Sequence, residues 1–151
     1  RRREMLAARP NAAHLAIAGL EADFDVEVIT QNVDDLHERA GSTRVTHLHG
    51  ELRKLRSSRD PALIVPIEGW EQPLDATAPD GALLRPHIVF FGEAVPQFDH
   101  AVRIAAAADV LIDPGTPDVR TIRNPLTHLR ERAAVGMPEL AERLRRESQP
   151  E

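Results

Sequence analysis

Residues 26–37 read VEVITQNVDDLH, a short run rich in β-branched residues that passes directly into amides and carboxylates. Residues 26–29 predict a strand. The polar residues 30–32 stand at its end, and the aspartates that follow lie in the opening turn of a predicted helix that runs through Arg39 and stops at Gly41. Because α/β sheets bind ligands outside the carboxyl ends of their strands, this stretch predicts both the fold class and the place of a site.

The rest of the chain alternates between strands and helices in the same way. Further strands are predicted at 45–48, 87–91 and 109–112, and helices at 11–24, 98–108, 126–134 and 138–146. Residues 60–84 contain prolines and glycines at short intervals, which predicts an insert with little regular structure. The expected fold is α/β, with a partial Rossmann-like parallel sheet, flanking helices and a proline-rich, metal-free insert.

Composition limits the classes of function. With 151 residues, 42% of them hydrophobic, the chain has the size and core of a single domain. Its 19 basic and 24 acidic residues are interspersed, which argues against nucleic acid as a partner, and the basic run 1–3 is explained by a solvated helix start. The absence of cysteine excludes disulfides and thiolate-ligated zinc, and no apolar run approaches the ~20 residues of a membrane span. We expect a cytoplasmic protein without a membrane partner, and the start at Arg1 suggests that upstream sequence is absent.

Two histidines lie at the end of the next predicted strand, residues 45–48. His47 and His49 are two residues apart, so in an extended segment they point to the same face, and Gly50 allows close approach of a ligand. Two chemistries use such groups. A hydrolase could bind a divalent metal through this pair and Asp34 or His37. Alternatively, a neutral imidazole could act as a general base while amides and carboxylates orient a nucleotide.

A third segment, residues 85–93, reads RPHIVFFGE. Together with TQNVDDLH at 30–37 and HLHGEL at 47–52, it resembles the sirtuin family, the NAD-dependent protein deacylases. The resemblance covers residues 1–112 and resumes near 113. It implies NAD as co-substrate and an acyl-lysine protein or peptide as substrate. The acyl oxygen attacks the ribose carbon as nicotinamide leaves, and a histidine then takes a proton from a ribose hydroxyl so that the acyl group moves to ADP-ribose.

The resemblance assigns roles to five residues of the first two motifs. It implies that His49 is the general base and that Gln31 and Asn32 hold the ribose. It places Asp34 at the nicotinamide amide, with the backbone of Val33 supporting the same pocket.

In the third motif, the resemblance places Val89, Phe91 and Gly92 on the segment that pairs with the substrate peptide as an added strand. A plain core position is the competing interpretation, and it is preferred for Val89 and Phe90. Arg1 matches an arginine that selects acidic acyl groups in some bacterial members, which extends the expected activity from deacetylation to desuccinylation.

The chain departs from the sirtuin pattern in three places. The glycine-rich phosphate loop would precede Arg1, so a truncated N-terminus and weak NAD binding are expected. Residues 56–84 replace the zinc module, as in cysteine-free bacterial members, so no zinc is expected. Residues 115–117 (GTP) are either a degraded nucleotide loop or mark the loss of an internal block, and the second interpretation is favoured. The overall expectation is a single incomplete catalytic domain over 1–151, with a non-catalytic peptide-binding module and a histidine-metal hydrolase as alternatives.

Overall fold

The computed structural model describes residues 1–109, 111–113, 126–128 and 132–148. The elements in chain order are α1 (Arg2–Ala7), α2 (Ala12–Leu20), β1 (Val28–Thr30), α3 (Leu36–Ala40), β2 (Val45–His47), β3 (Gly50–Ser57), β4 (Ile64–Pro66), β5 (Leu84–Ile88), α4 (Phe98–Ala107), β6 (Leu111–Asp113), β7 (Leu126–His128) and α5 (Ala133–Ser148). They confirm the predicted α/β class. None of the described helices is long and apolar enough to cross a bilayer.

The chain divides into two compact units. Unit 1 comprises Arg1–Ala8, Thr30–Asp35 and His47–Pro96, and unit 2 comprises Arg9–Ile29, Leu36–Thr46 and Gln97–Glu151. The single catalytic domain over 1–151 stays a prediction.

Unit 1 contains a three-stranded antiparallel sheet in the order β4-β3-β5. Leu55 lies opposite Val65 on one side, and Arg56 lies opposite Arg85 on the other. The register of β3 and β5 shifts between Gly50 and Leu55, which marks a β-bulge. The alternate residues Leu55 and Ser57 are buried, as the period of two in a half-buried strand requires.

The insert between β3 and β5 is more regular than the sequence predicts. The predicted boundary at residue 56 falls inside β3, and residues 64–66 form β4. The prediction failed here because β4 carries Pro66, a residue that normally argues against a strand. An edge strand such as β4 tolerates proline, because the backbone groups on its outer side form no hydrogen bonds to another strand of the sheet.

The predicted parallel pairing appears in two separate pairs of strands, whereas the predicted strand 87–91 overlaps β5, which pairs antiparallel. The N–H of Val28 donates to the carbonyl of Arg44 at 3.0 Å, and the N–H of Leu48 donates to the carbonyl of Thr30 at 2.9 Å. Since the bonding partners on β1 and β2 advance along the chain together, the two strands are parallel. Strands β6 and β7 are also parallel.

The core of unit 2 lies where α2 packs against α5. Its most buried residues are small or flexible apolar side chains: Ala13, Leu20, Met137, Leu140 and Ala141. The predicted break at Gly136 is wrong. A single helix, α5, runs through Gly136 and Pro138, and residues 126–128 are a strand. Burial of this apolar face outweighs the hydrogen bond that proline removes from the second turn.

The remaining predicted elements match within a few residues. Helix α2 begins at the predicted cap, where the side chain of Asn11 accepts hydrogen bonds from the N–H groups of Ala13 and His14 at 2.9 and 3.3 Å. Helix α3 stops at Gly41, whose φ of 110° suits a helix terminus. Residues 114–125, including the GTP sequence at 115–117, lie outside the described residues.

Candidate functional site

The polar loop after β1 is fixed by backbone hydrogen bonds. The carbonyl of Thr30 accepts from the N–H of Leu48 at 2.9 Å, and the carbonyl of Val33 accepts from the N–H of Leu52 at 2.8 Å. The buried hydroxyl of Thr30 also accepts from the N–H of Asn32 at 3.1 Å. These bonds bring the first two sequence motifs together at the carboxyl end of β1.

The side chains of this loop stay accessible because its backbone makes the fixing contacts. Gln31 and Asn32 are exposed, and Val33 and Asp34 are half-buried. His49 is half-buried beside them in the chain segment that pairs with the loop. Two amides, a carboxylate and an imidazole are thus presented at a strand end, where an α/β protein binds ligands.

The same-face argument for the two histidines is wrong. Strand β2 ends at His47, and Leu48 and His49 form a turn, so the segment is not extended. The Nδ1 atom of His47 lies 3.2 Å from the carbonyl oxygen of Asn32. Since a carbonyl only accepts, this bond requires the proton on Nδ1. The other ring nitrogen, Nε2, then carries the lone pair, so this bond by itself does not exclude His47 as a metal ligand.

Gly50 serves the backbone of the sheet rather than a ligand. Its φ is 78°, and an added Cβ would collide with the carbonyl oxygen of His87 on β5. Glycine lets β3 and β5 approach at this point. Next to this contact, the N–H of Val89, which follows β5, donates to the carbonyl of His49, which precedes β3, at 2.9 Å. The third motif is therefore joined to the second through main-chain contacts.

The third motif ends in a tight turn. The N–H of Glu93 donates to the carbonyl of Phe90 at 3.0 Å, and Gly92 has a φ of 84°, as a type II turn requires at its third residue. Phe91 is fully exposed and Phe90 is 46% exposed, so the core interpretation of Phe90 is wrong. Val89 is half-buried.

A charged node that the sequence analysis missed holds this turn. The carboxylate of Glu93 accepts from Arg85 Nη1 at 2.7 Å, from Arg56 Nη2 at 3.1 Å and from the N–H of Phe90 at 3.1 Å. The hydrogen bond from Arg85 lowers the pKa of Glu93, and the Phe90 N–H lowers it further. The only signal in the sequence was the opposite charge within RPHIVFFGE, and charge alone does not reveal long-range partners.

Arg1 lies at a cleft of about 500 Å³ in unit 1, which is lined by Arg1, Arg2, Arg3, Glu4, Leu52, Trp70 and Pro86. The sequence analysis missed Arg2, which ties α1 to the sheet. Its Nε donates to the carbonyl of Leu52 at 2.7 Å, and its Nη1 donates to the carbonyl of Trp70 at 3.1 Å. The site residues that the resemblance assigns, from Arg1 to Gly92, belong to unit 1, whereas His37, a candidate ligand of the metal alternative, belongs to unit 2.

Comparison with known proteins gives the class. The model of the Sir2 family matches residues 1–119, so the chain belongs to the Sir2 family. It is 53% identical over 116 residues to an NAD-dependent protein deacylase of Aggregatibacter actinomycetemcomitans, a match that covers 77% of this chain and 55% of the relative. It is 36% identical over 171 residues to the NAD-dependent protein deacylase Sir2 of Mycolicibacterium smegmatis, which covers 89% and 70%.

Solved structures agree. A point mutant of a Sir2 homologue, in complex with ADP-ribose, superimposes with a TM-score of 0.82 at 32% identity and covers 99% of this chain and 73% of that one. A complex of Sir2 with a p53 peptide and NAD⁺ gives a TM-score of 0.64 at 27% identity, over 95% and 72%. The predicted family and fold class are confirmed.

The chain spans about half the length of the first curated relatives that it matches. The alignment with the Mycolicibacterium smegmatis protein is longer than the 151-residue chain, so stretches of that relative have no counterpart here. Such gaps are expected if a block is missing inside this chain, as the sequence analysis favoured.

Proposed function

We propose that this protein is an NAD-dependent protein lysine deacylase that transfers the acyl group to ADP-ribose. The observation that carries the proposal is the pairing of the loop 30–33 with residues 48–52, which places Gln31, Asn32 and His49 in one accessible region of unit 1. Membership of the Sir2 family and the deacylase names of its relatives support the same activity.

The residues at the end of β1 suit the ribose and nicotinamide of NAD. The exposed amides of Gln31 and Asn32 can both donate to and accept from ribose hydroxyls, and Asp34 can accept from a carboxamide N–H. NAD would supply the ribose carbon that the acyl oxygen attacks. The half-buried imidazole of His49 would accept a proton from a ribose hydroxyl and so act as a general base.

We propose an acyl-lysine segment of a protein as the second substrate. Support comes from a Sir2 neighbour solved with a p53 peptide and from the exposed turn at Phe91 and Gly92, next to Val89. The resemblance matches Arg1 to an arginine that selects acidic acyl groups, and its positive charge would favour succinyl over acetyl. The cytoplasmic location and the absence of nucleic-acid and membrane partners stay predictions from the sequence.

Release of nicotinamide tests the proposal. We expect the purified chain, with millimolar NAD and an acetyl- or succinyl-lysine peptide, to release nicotinamide and to form acyl-ADP-ribose, identified by its mass. Millimolar NAD is chosen because weak NAD binding is expected. Reactions without the peptide are the control. Peptide binding without nicotinamide release would favour the non-catalytic module, and deacylation that needs no NAD and stops with a chelator would favour the metal hydrolase.

A further inference from the structure

We propose that Glu93 is a positioning residue that holds the turn 90–93 in the conformation that meets the substrate peptide. The inference rests on the proposed function, in which the segment from Val89 to Gly92 binds the peptide. It adds a residue whose own contacts are entirely within the protein.

Glu93 determines which backbone groups of the turn are left for a ligand. Its carboxylate accepts from the N–H of Phe90 at 3.1 Å, and its backbone N–H donates to the carbonyl of Phe90 at 3.0 Å. Both main-chain groups of Phe90 are therefore used. In the part of the chain that the structure describes, the carbonyl of Val89 and the N–H of Phe91 make no intrachain hydrogen bond, so they are available for main-chain pairing.

The same carboxylate joins the turn to two strands. Arg56 reaches it from β3 and Arg85 from β5, and the guanidinium of Arg85 also lies 4.7 Å from the ring centroid of Phe90. This cation–π contact fixes Phe90 on the strand side of the turn. Phe91, the next residue, is then presented to solvent on a fixed backbone.

The two arginines that contact residue 93 require an ionised carboxylate at that position. The side chain of Arg56 is only 11% exposed, and its guanidinium and that of Arg85 are both within 3.1 Å of Glu93. Without the negative charge, two guanidiniums would face each other with one of them largely desolvated. The neutral glutamine side chain fits the same space but cannot balance them, so the turn would be released.

The test uses the full chain with the substitution Glu93→Gln. We expect affinity for a fluorescein-labelled acetyl-lysine peptide, measured by fluorescence anisotropy well below the melting temperature, to fall about tenfold, as the loss of one charged hydrogen bond implies. The KM for the peptide should rise while kcat at saturating peptide is kept. Exchange of the Phe90 amide hydrogen with deuterium should become faster.

A matched control separates positioning from general stability. Asp80 is another carboxylate of unit 1 that accepts from a side chain and a backbone N–H, from Ser57 Oγ at 2.7 Å and Ala82 N at 3.0 Å. Asp80→Asn should lower the melting temperature but keep the peptide affinity. If Glu93→Gln does not fold, Glu93→Asp replaces it, since it keeps the charge but is too short to reach all three donors.

Three outcomes decide the matter. A loss of affinity in the Glu93 variant that exceeds the loss in Asp80→Asn supports the positioning role. Equal affinities in the two variants overturn it and leave Glu93 as a purely structural residue. If the unmodified chain does not bind the peptide at all, the proposed function fails and the inference falls with it.

Discussion

The loop after β1 and the insert between β3 and β5 both belong to unit 1 and are both held by main-chain hydrogen bonds, but they differ in what their side chains add. The loop is fixed by main-chain bonds at Thr30 and Val33 and by the hydroxyl of Thr30, and the side chains of Gln31 and Asn32 stay exposed. Main-chain bonds such as that from Ser58 to Leu83 also hold the insert, and the side chain of Ser57 adds three further hydrogen bonds to it. Replacing an exposed side chain of the loop should therefore cost little stability, whereas replacing the side chain of Ser57 should cost more.

We expect the largest loss of stability from a substitution at Gly50, where the backbones of β3 and β5 lie close together. Gly50→Ala would place a methyl group against the carbonyl of His87 in a conformation that side chains rarely adopt. We expect a loss of about 2–4 kcal/mol in the free energy of unfolding, measured by urea denaturation. Gly81→Ala is the control, because Gly81 also has a positive φ, of 76°, but an added Cβ would meet no atom within 4 Å. Equal losses would show that conformation alone, and not the approach of β3 to β5, requires glycine at position 50.

Removing the side-chain anchor of the insert should have the next largest effect. The hydroxyl of Ser57 donates to Asp80 at 2.7 Å and accepts from the N–H groups of Arg59 and Asp60 at 3.0 and 3.1 Å. Ser57→Ala leaves these partners unsatisfied and should cost about 1–3 kcal/mol in the free energy of unfolding. The adjacent Ser58 is exposed, so Ser58→Ala should change little. A cost at Ser58 as large as that at Ser57 would contradict this account of the insert.

A smaller, pH-dependent effect should come from His87 on β5. Burial lowers its pKa, the charge of Arg56 lowers it further, and Nδ1 is buried without a hydrogen-bond partner among the described residues. The folded protein therefore protonates His87 less readily than the unfolded chain does. As the pH falls below about 6.5, the unfolded chain binds a proton that the folded chain does not, and stability declines.

The substitution His87→Gln should remove this part of the acid sensitivity. The fall in the urea midpoint between pH 8 and pH 5 should be smaller in this variant than in the unmodified chain. His100→Gln, at an exposed position of α4, is the control and should leave the fall unchanged. An identical pH dependence in the His87 variant would mean that this histidine titrates alike in the folded and unfolded states.

The difference between the two regions also explains what the sequence could predict. The loop after β1 follows local rules, because a β-branched strand, a polar end and a helix start are neighbours in the chain, and its place in the fold was predicted. The Glu93 node joins residues 56, 85 and 93, and the Ser57 anchor joins residues 57 and 80. Their pairing depends on the register of an antiparallel sheet, which residue spacing does not reveal.

The prediction of the C-terminal helix failed for a related reason. Gly136 and Pro138 predict a break when they are considered locally. The helix continues because Met137 and Leu140 are buried against α2, and that partner lies more than a hundred residues earlier in the chain. The prediction for Phe90 also failed. Its apolar character predicted a core position, but a contact with Arg85 holds it at the surface.

The central claim is that His49 is the base of a deacylase whose surrounding loop is fixed by its backbone. The most direct test is the rate of nicotinamide-coupled deacylation in His49→Ala, measured beside its melting temperature and beside His47→Ala. We predict that His49→Ala loses about two to four orders of magnitude in rate while the melting temperature stays near that of the unmodified chain, and that His47→Ala loses less. An unchanged rate in His49→Ala, or equal losses at both histidines that added zinc restores, would contradict the account.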